Sequence, residues 1–507
     1  MRKTILLIIS ALILTFPAYS QEVNGDTTTI DGKLILKVWG THYERGYAQG
    51  YLLGAQIKDL FDDYIVNHCF QGSTMYYNIA YNLYTASFAL EDKYAEEIEG
   101  MFDGMVEAGI SLYNTTIGRD FTPIDGQMVN ALGDLSGVMA LDSRMGCSTL
   151  SAWGNATASD PELQGSLVVT RAFDWDMYQN LLNHHMITVN LPAEADEVPW
   201  VNFGFCGLIA PFSSISGDGV AAFQNVGNYG SPQPNPPPFH PMSFSLRNGI
   251  ESADYNGDFA HNADDVIQAI TDEVSLSSWI LTITDDSSAQ IVECNNSLGS
   301  VIRTERNNNI APALPMNSLA ATNHHRLLYD PIYCYRYSGI ADSLVNSSEI
   351  SVDRCWNVIC SAAGVPNNVH LLEYAPALDL LKFSTAPNSS APAFTQPPAE
   401  FVFSELLEPP VLVQSSEAIP DDFNFTVYPN PFNQRLALDF TLPAAGEIKL
   451  AVYDITGREV ETLGTGGWER GRHRVVWNAS GLASGVYFIR LMVDSRWSMV
   501  EKVALLK

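Results

Sequence analysis

The chain changes its hydrophobic rhythm twice. Over residues 40–66, "GTHYERGYAQGYLLGAQIKDLFDDYIV", Leu53, Ile57, Leu60, Phe61 and Tyr64 fall on one helical face. Over 96–109, "EEIEGMFDGMVEAG", Ile98, Met101, Phe102, Met105 and Val106 do the same. Residues 34–145 therefore read as helical, and the methionines in that stripe read as packing. Past residue 147 the rhythm becomes that of strands. "GSLVVTRAFDWD" (165–176) opens β-branched, "HHMITVNL" (184–191) follows, and "SGDGVAAFQN" (216–225) is a turn entering a strand. "NADDVIQAITDEV" (262–274) is a helix, "SWILTITDDSSAQIVECN" (278–295) two strands around a polar turn, and "VHLLEYAPALDLLKFST" (369–385) a further hairpin. Strand pairs with a few helices between them predict an α+β fold, its sheets covered by helices.

Both rhythms then stop. "APNSSAPAFTQPPAE" and "EPPVLVQSSEAIPDD" are rich in Pro, Ser and Ala, and residues 386–427 read as a linker. From Tyr428 alternation returns. Ile448, Leu450 and Val452 alternate with Lys449, Ala451 and Tyr453, and "TGRE", "NASG" and "ASG" punctuate the strands. This predicts a small all-β sandwich over 428–507.

The two ends and the charge narrow the setting. Arg2 and Lys3 precede an apolar run at 5–16, and Ala18 and Ser20 are small. Residues 1–20 read as a secretory signal peptide cut after Ser20. That run is too short to span a bilayer and no later stretch is long enough, so a secreted or surface-attached protein without a membrane span is expected. The net charge is −30, while the tail from Tyr428 runs slightly basic, so the acidity belongs to the body. Such a body repels nucleic acid and anionic membrane, and neither is expected as a partner. There are seven cysteines, at 69, 147, 206, 294, 334, 355 and 360. The odd count leaves at least one thiol over in an oxidising compartment, and no pair has zinc-knuckle spacing.

One thiol stands in unusual company. In "SRMGCSTLSAWG" (143–154) Cys147 follows a glycine and precedes two hydroxyl residues. A free thiol, with a pKa of roughly 8.5, is mostly protonated near neutral pH and needs a base or a cation. If the chain breaks between Gly146 and Cys147, the freed α-amine, with a pKa of about 7.7–8.0, is that base. Glycine at 146 tolerates the strained backbone that lets the thiol attack its own upstream carbonyl. Downstream, Arg171 offers a cation to the sulfur, and Asp174 a carboxylate to hold the amine. Asn225 and Asn323 are neutral amides at strand ends that can donate to an oxyanion, with Asn228 three residues beyond the first as a rival. Arg336 supplies a second cation.

These pieces carry two resemblances. "HYERGYAQG", "GCSTLSAWG", "TRAFDWD", "SGDGVAAFQN", "ATNHH", "CYRY" and "VHLLEYAP" make residues 34–385 resemble the cysteine N-terminal-nucleophile (Ntn) hydrolases of the penicillin acyltransferase-like and choloylglycine hydrolase-like group. The resemblance implies an αββα sandwich over 147–385, preceded by a helical segment at 21–146 that becomes a separate chain after self-cleavage at Gly146–Cys147. It implies a nucleophile at Cys147, with Arg171, Asp174, Asn225, Asn323 and Arg336 around it. Where the family often carries Asn-Leu-Asp after the first arginine, this chain has "AFD", which drops an amide and keeps both charges. "YPNPFN", "LAVYDITGREVETL", "GRHRVVWNASGLASGVYFIRL" and the closing "KVALLK" make the tail resemble the C-terminal sorting domain of the type IX secretion system. That implies the type IX machinery as partner and passage across an outer membrane.

The expected activity is hydrolysis of a small amide, with no cofactor needed for catalysis. Acyl transfer at the same site is the first alternative, and a catalytically inactive surface binding or adhesion protein the second. "DYNGDFAHNADD" (254–265) adds a candidate structural calcium loop, with Asp254, Asn256, Asp258, Asn262 and Asp265 at loop positions 1, 3, 5, 9 and 12. Phe259 stands at position 6, where glycine is usual, and the plain alternative is a polar loop with Asn262 capping the next helix. His324 and His325, like His184 and His185, are adjacent and point to opposite faces of a strand, so they receive no ligand role.

Overall fold

The computed structural model describes residues 22–136, 139, 146–228, 230, 235–308, 310–345, 349–409 and 423–506, apart from 429, 434, 469, 495 and 496. The signal peptide expected at 1–20 lies outside the described residues. The chain forms two compact units, one ending at Pro409 and one beginning at Pro410.

The first unit holds two large sheets. The nine-stranded sheet contains β1 (Gly25–Ile30), β2 (Lys33–Gly40), β7 (His185–Pro192), β8 (Trp200–Phe205), β9 (Ser213–Ser216), β10 (Ala221–Val226), β11 (Ser278–Thr284), β12 (Ala289–Asn295) and β13 (Gly299–Arg303), in that spatial order. The six-stranded sheet runs β14 (Ser318–Ala321), β5 (Gly146–Ala152), β6 (Val168–Asp174), β15 (Asn368–Ala375), β16 (Leu380–Thr385) and β17 (Ala399–Val402). A two-stranded ribbon, β3 (Tyr113–Asn114) and β4 (Arg119–Asp120), lies in the helical segment.

Side-chain alternation sorts each strand into two environments. Ile187, Val189, Phe203, Ile215 and Phe223 of the larger sheet share one core with Val169, Leu372, Leu381 and Phe383 of the smaller, so the sheets face each other. The other face of the larger sheet packs Trp279, Leu281 and Val292 against Leu246 and Ile250 of α7 (Met242–Glu251) and Val266 and Ile270 of α8 (Ala263–Thr271). The other face of the smaller sheet, with Leu150, Ala172 and Leu371, joins a core with α9 (Tyr335–Leu344) and α10 (Val352–Val358). The same core takes in the early helices, α1 (His42–Asp59), α2 (Thr74–Ser87), α3 (Asp92–Glu107), α4 (Pro123–Asn130) and α5 (Leu132–Ser136). Two short helices, α6 (Gln179–Asn183) and α11 (Phe403–Leu407), complete the unit.

The helical segment starts at a capping box, with Thr41 as N-cap and Glu44 reaching back to it. Leu53, Ile57, Leu60, Phe61 and Tyr64 are buried, as their spacing predicts, though α1 passes into a π-helical stretch at Leu60–Cys69. Ile98, Met101, Phe102 and Met105 are buried on α3, but Val106 is exposed at the last turn. Four glycines let α1 and α3 touch. A β-carbon on Gly46 or Gly50 would stand 1.8 Å from the carbonyl oxygen of Glu97 or Met101.

Two expectations need correction. Residues 25–40 are strands, not helix: β2 pairs in parallel with β7, so the segment before Cys147 supplies part of the larger sheet. Residues 386–409 are not linker. β17 pairs with β16, and Ala393, Phe401, Phe403 and Leu406 are buried. Their Pro- and Ser-rich surroundings hid a few well-spaced apolar anchors.

The second unit pairs β18 (Asn424–Tyr428), β19 (Arg435–Leu442) and β22 (Gly471–Asn478) in one sheet. The other holds β21 (Glu459–Trp468), β20 (Gly446–Asp454), β23 (Gly485–Val493) and β24 (Trp497–Leu505). Ile448, Leu450 and Val452 meet Leu436, Leu438, Trp477 and Ile489 in a shared core. Among the described residues, none of the seven cysteines is joined in a disulfide.

Candidate active site

Cys147 is the second residue of β5, directly opposite Phe173 of β6. Opposed residues of antiparallel strands project to the same face, so the thiol and the Phe173 ring lie side by side. That face looks into the space between the sheets, as Arg171 also does. Gly146 and Ser148 lie on the reverse face with their partners Asp174 and Ala172.

The guanidinium of fully buried Arg171 reaches the sulfur. Its Nη2 donates to Cys147 Sγ at 3.1 Å and to the Gln224 carbonyl at 2.7 Å, while Nη1 donates to Asn225 Oδ1. Gln224 and Asn225 belong to β10, so this arginine bridges the two sheets. Arg336, in the first turn of α9, arrives from the other side. Its Nη1 donates to the Cys147 carbonyl at 2.8 Å and to Ser148 Oγ at 2.9 Å, and stands 3.4 Å from Asp174 Oδ2. Its Nη2 donates to Asn323 Oδ1 at 2.6 Å, and the same oxygen accepts the Cys147 N–H at 2.8 Å. Cys147, Arg171, Asp174, Asn225, Asn323 and Arg336 thus meet in one buried cluster drawn from both sheets, one helix and one loop.

The two amides are already engaged. Asn225 Nδ2 donates to the Thr322 carbonyl at 3.1 Å, and Asn323 Nδ2 to the Val226 carbonyl at 2.8 Å. Each amide nitrogen has two hydrogens, so one N–H of each remains for another acceptor. The rival Asn228 joins the cluster through its backbone, donating its N–H to the Asn323 carbonyl at 2.8 Å.

Burial decides the protonation states. It raises the Cys147 thiol pKa above its ordinary value, and Arg171 only partly offsets that. The cation thus opposes the burial penalty without cancelling it. Burial also pushes Asp174 up to about 6, against the opposing pull of Arg336, Asn368 and Arg171. Five contributors escaped sequence reasoning: the side chains of Ser148 and Asn368 and the carbonyls of Gln224, Thr322 and Val226. A backbone carbonyl leaves no sequence signal. Asn368 sits at the start of the hairpin strand, where its polar character could have marked it.

Phe173 helps to line a narrow apolar cavity, together with Tyr64, Ile65, Leu132, Trp175, Phe205 and Phe212. Trp175 also lines a wider cleft with His68, Asp176 and Tyr178.

In the candidate calcium loop, Asp265 and Asn262 accept backbone N–H groups. Asp265 Oδ1 accepts the N–H groups of Tyr255 and Asn256, and its Oδ2 accepts that of Asn262. Asn262 caps α8, and its side chain accepts from Asp264 N–H. Phe259 takes the left-handed backbone that glycine usually provides, at φ 69°. Among the described residues, the titratable side chains close enough to share an ion are His42, Glu197 and Glu251. There the Lys93 ammonium already lies 3.1 Å from Glu197 and 2.9 Å from Glu251, so a cation of the protein itself fills the position. Among the adjacent histidines, His325 is buried against Ser278 and His324 is half-buried; His184 bonds Asp59 and His185 bonds His370.

Residues 426–505 match the family described as the secretion system C-terminal sorting domain. A tail of this kind addresses the chain to the type IX machinery, for export across the outer membrane to the surface or the medium. No curated protein matches the chain. Among solved structures, an ortholog of N-acylethanolamine-hydrolyzing acid amidase from Caenorhabditis elegans is similar at 13% identity and a TM-score of 0.34. The match covers 50% of this chain and all of that one. No helix of the described residues is long and apolar enough to cross a membrane.

Proposed function

We propose that the exported body is a cysteine amidohydrolase of the Ntn type, active after the chain breaks between Gly146 and Cys147. The observation that carries this reading is the double hold on one residue. Asn323 fixes the Cys147 nitrogen at 2.8 Å and Arg171 fixes the sulfur at 3.1 Å, inside a closed site. Facing sheets with helices packed on their outer faces suit the αββα layering expected of this class and support the reading.

A thiol whose pKa is raised by burial needs a local base, and the freed α-amine is bonded to the same residue. The sulfur attacks the amide carbonyl and its proton passes to the α-amine. The carbonyl becomes an oxyanion, stabilised by the remaining N–H groups of Asn225 and Asn323. As the C–N bond breaks, the α-ammonium returns the proton to the leaving amine. Water then attacks the thioester, releasing the acid and restoring the thiol. Asp174 and Asn323 orient the amine, while Arg171 holds the sulfur and Arg336 ties Asn323 and Asp174 together. An apolar cavity lined in part by Phe173, the residue opposite Cys147, favours a substrate with an apolar acyl half.

Intact mass and N-terminal sequencing of the purified protein test the reading. A chain beginning at Cys147 is expected, and Cys147→Ala is expected to leave the precursor whole and without amidase activity. An uncut protein whose turnover survives thiol alkylation would end the proposal.

A further inference from the structure

We propose that Asn368 is a positioning residue of this site, holding one oxygen of Asp174 so that the other faces the Gly146–Cys147 junction; the proposal rests on the reading above. Asn368 opens β15, fully buried and directly opposite Asp174. Its Nδ2 donates to Asp174 Oδ1 at 2.9 Å, with the carbonyls of Phe173 and His370 at 3.2 and 3.0 Å. Its Oδ1 accepts the Phe394 N–H at 2.9 Å. The strand register shifts between Asn368 and His370, an irregularity that re-aims side chains.

Both ends of the amide are therefore used, and few other side chains serve. Aspartate has no donor and would set a second carboxylate against Asp174; leucine has neither donor nor acceptor. With its Oδ1 occupied, Asp174 presents Oδ2 to the junction. Arg336 Nη1 lies 3.4 Å from that oxygen, and a β-carbon at position 146 would stand 3.3 Å from it. The glycine keeps this approach open. Oδ2 is the carboxylate atom available to hold the amine freed at Cys147. The far end of the brace is the turn Ala393–Thr395, itself tied down by Ser384 Oγ donating to the Ala393 carbonyl at 2.9 Å.

The test uses the full chain and the pH dependence of the rate at which a chain beginning at Cys147 appears, followed by intact mass. Losing the donor makes Asp174 harder to ionise, so the acid limb of the profile moves up. In Asn368→Ala the rate falls about ten- to hundredfold, the range of one hydrogen bond to a charged group. Its acid limb rises by about one pH unit. Asn368→Asp moves the limb further, and Asn368→Ser, which keeps a small donor, lies between wild type and Asn368→Ala. Where the alanine variant does not fold, the serine and aspartate variants supply the same reading. An unmoved acid limb in the folded variants, whatever their rate, reduces Asn368 to a packing residue and overturns the proposal alone. A wild type that never yields a chain beginning at Cys147 overturns the proposal together with the reading beneath it.

Discussion

Around His42, buried charges are matched almost one to one; around Cys147 they are not. In the first cluster Arg247 donates to Glu97 at 2.5 Å and to Glu251 at 2.9 Å, Arg45 pairs with Glu194 and Glu197, and His42 lies between Glu97 and Glu197. Burial alone would raise Glu97, but Arg247 and His42 outweigh it and bring it down to about 2. Glu251 and Glu197 are likewise lowered, each against the penalty of burial. In the second cluster burial wins. Asp174 is pushed up to about 6 and the Cys147 thiol rises as well. Both clusters are buried, yet one stabilises its charged forms and the other withholds them. The first joins α1 and α3 to α7, and the second keeps groups that can still exchange a proton.

The largest effect should come from unbalancing the matched cluster. Arg247→Met leaves Glu97 and Glu251 buried without their main partner and should cost roughly 3–5 kcal/mol in urea unfolding. A change of less than about 1 kcal/mol would mean that Lys93, Arg45 and His42 suffice.

Opposite pH signs are the next consequence. Glu97 has a folded pKa of about 2 and an ordinary value of 4.5, so its contribution is full above the ordinary value and is lost as pH falls toward the folded one. Asp174 runs the other way. Its folded value of about 6 against 3.8 removes stability as pH rises between the two. A difference of about two pH units corresponds to roughly 3 kcal/mol. At neutral pH, Glu97→Gln should therefore lower the melting temperature. Asp174→Asn should leave it unchanged or higher while stopping cleavage before Cys147. Thermal melts at two pH values, read beside intact mass, check both. A destabilised Asp174→Asn would remove the distinction between the clusters.

The smallest effect concerns the loop before α8. Asn262→Ala should cost about 1 kcal/mol as a lost helix cap. Its melting curve, like that of wild type, should be the same with calcium and with chelator. A calcium-dependent melt would place a cation at residues 254–265.

The residues that cluster around Cys147 were legible for a chemical reason. A thiol after glycine, a cation and a carboxylate three positions apart, and amides at strand ends form a set that packing alone does not require. The matched cluster was invisible because its partners lie on three helices and a loop, from His42 to Glu251, without local spacing. Asn368 and residues 386–409 were missed for related reasons. One short amide and a few apolar anchors in a Pro-rich stretch leave no periodic signal.

The sequence by itself determined the periodic elements, the alternation that builds the tail sandwich and the residue types around Cys147. Local geometry dictates these, because helix and strand spacing are properties of the backbone. Only the tertiary structure decided which charges are matched, that Asp174 rises to about 6, and that the segment before Cys147 contributes strands to the larger sheet. Those outcomes depend on burial and on distances between residues far apart in the chain, where electrostatic energy is set by position rather than by order.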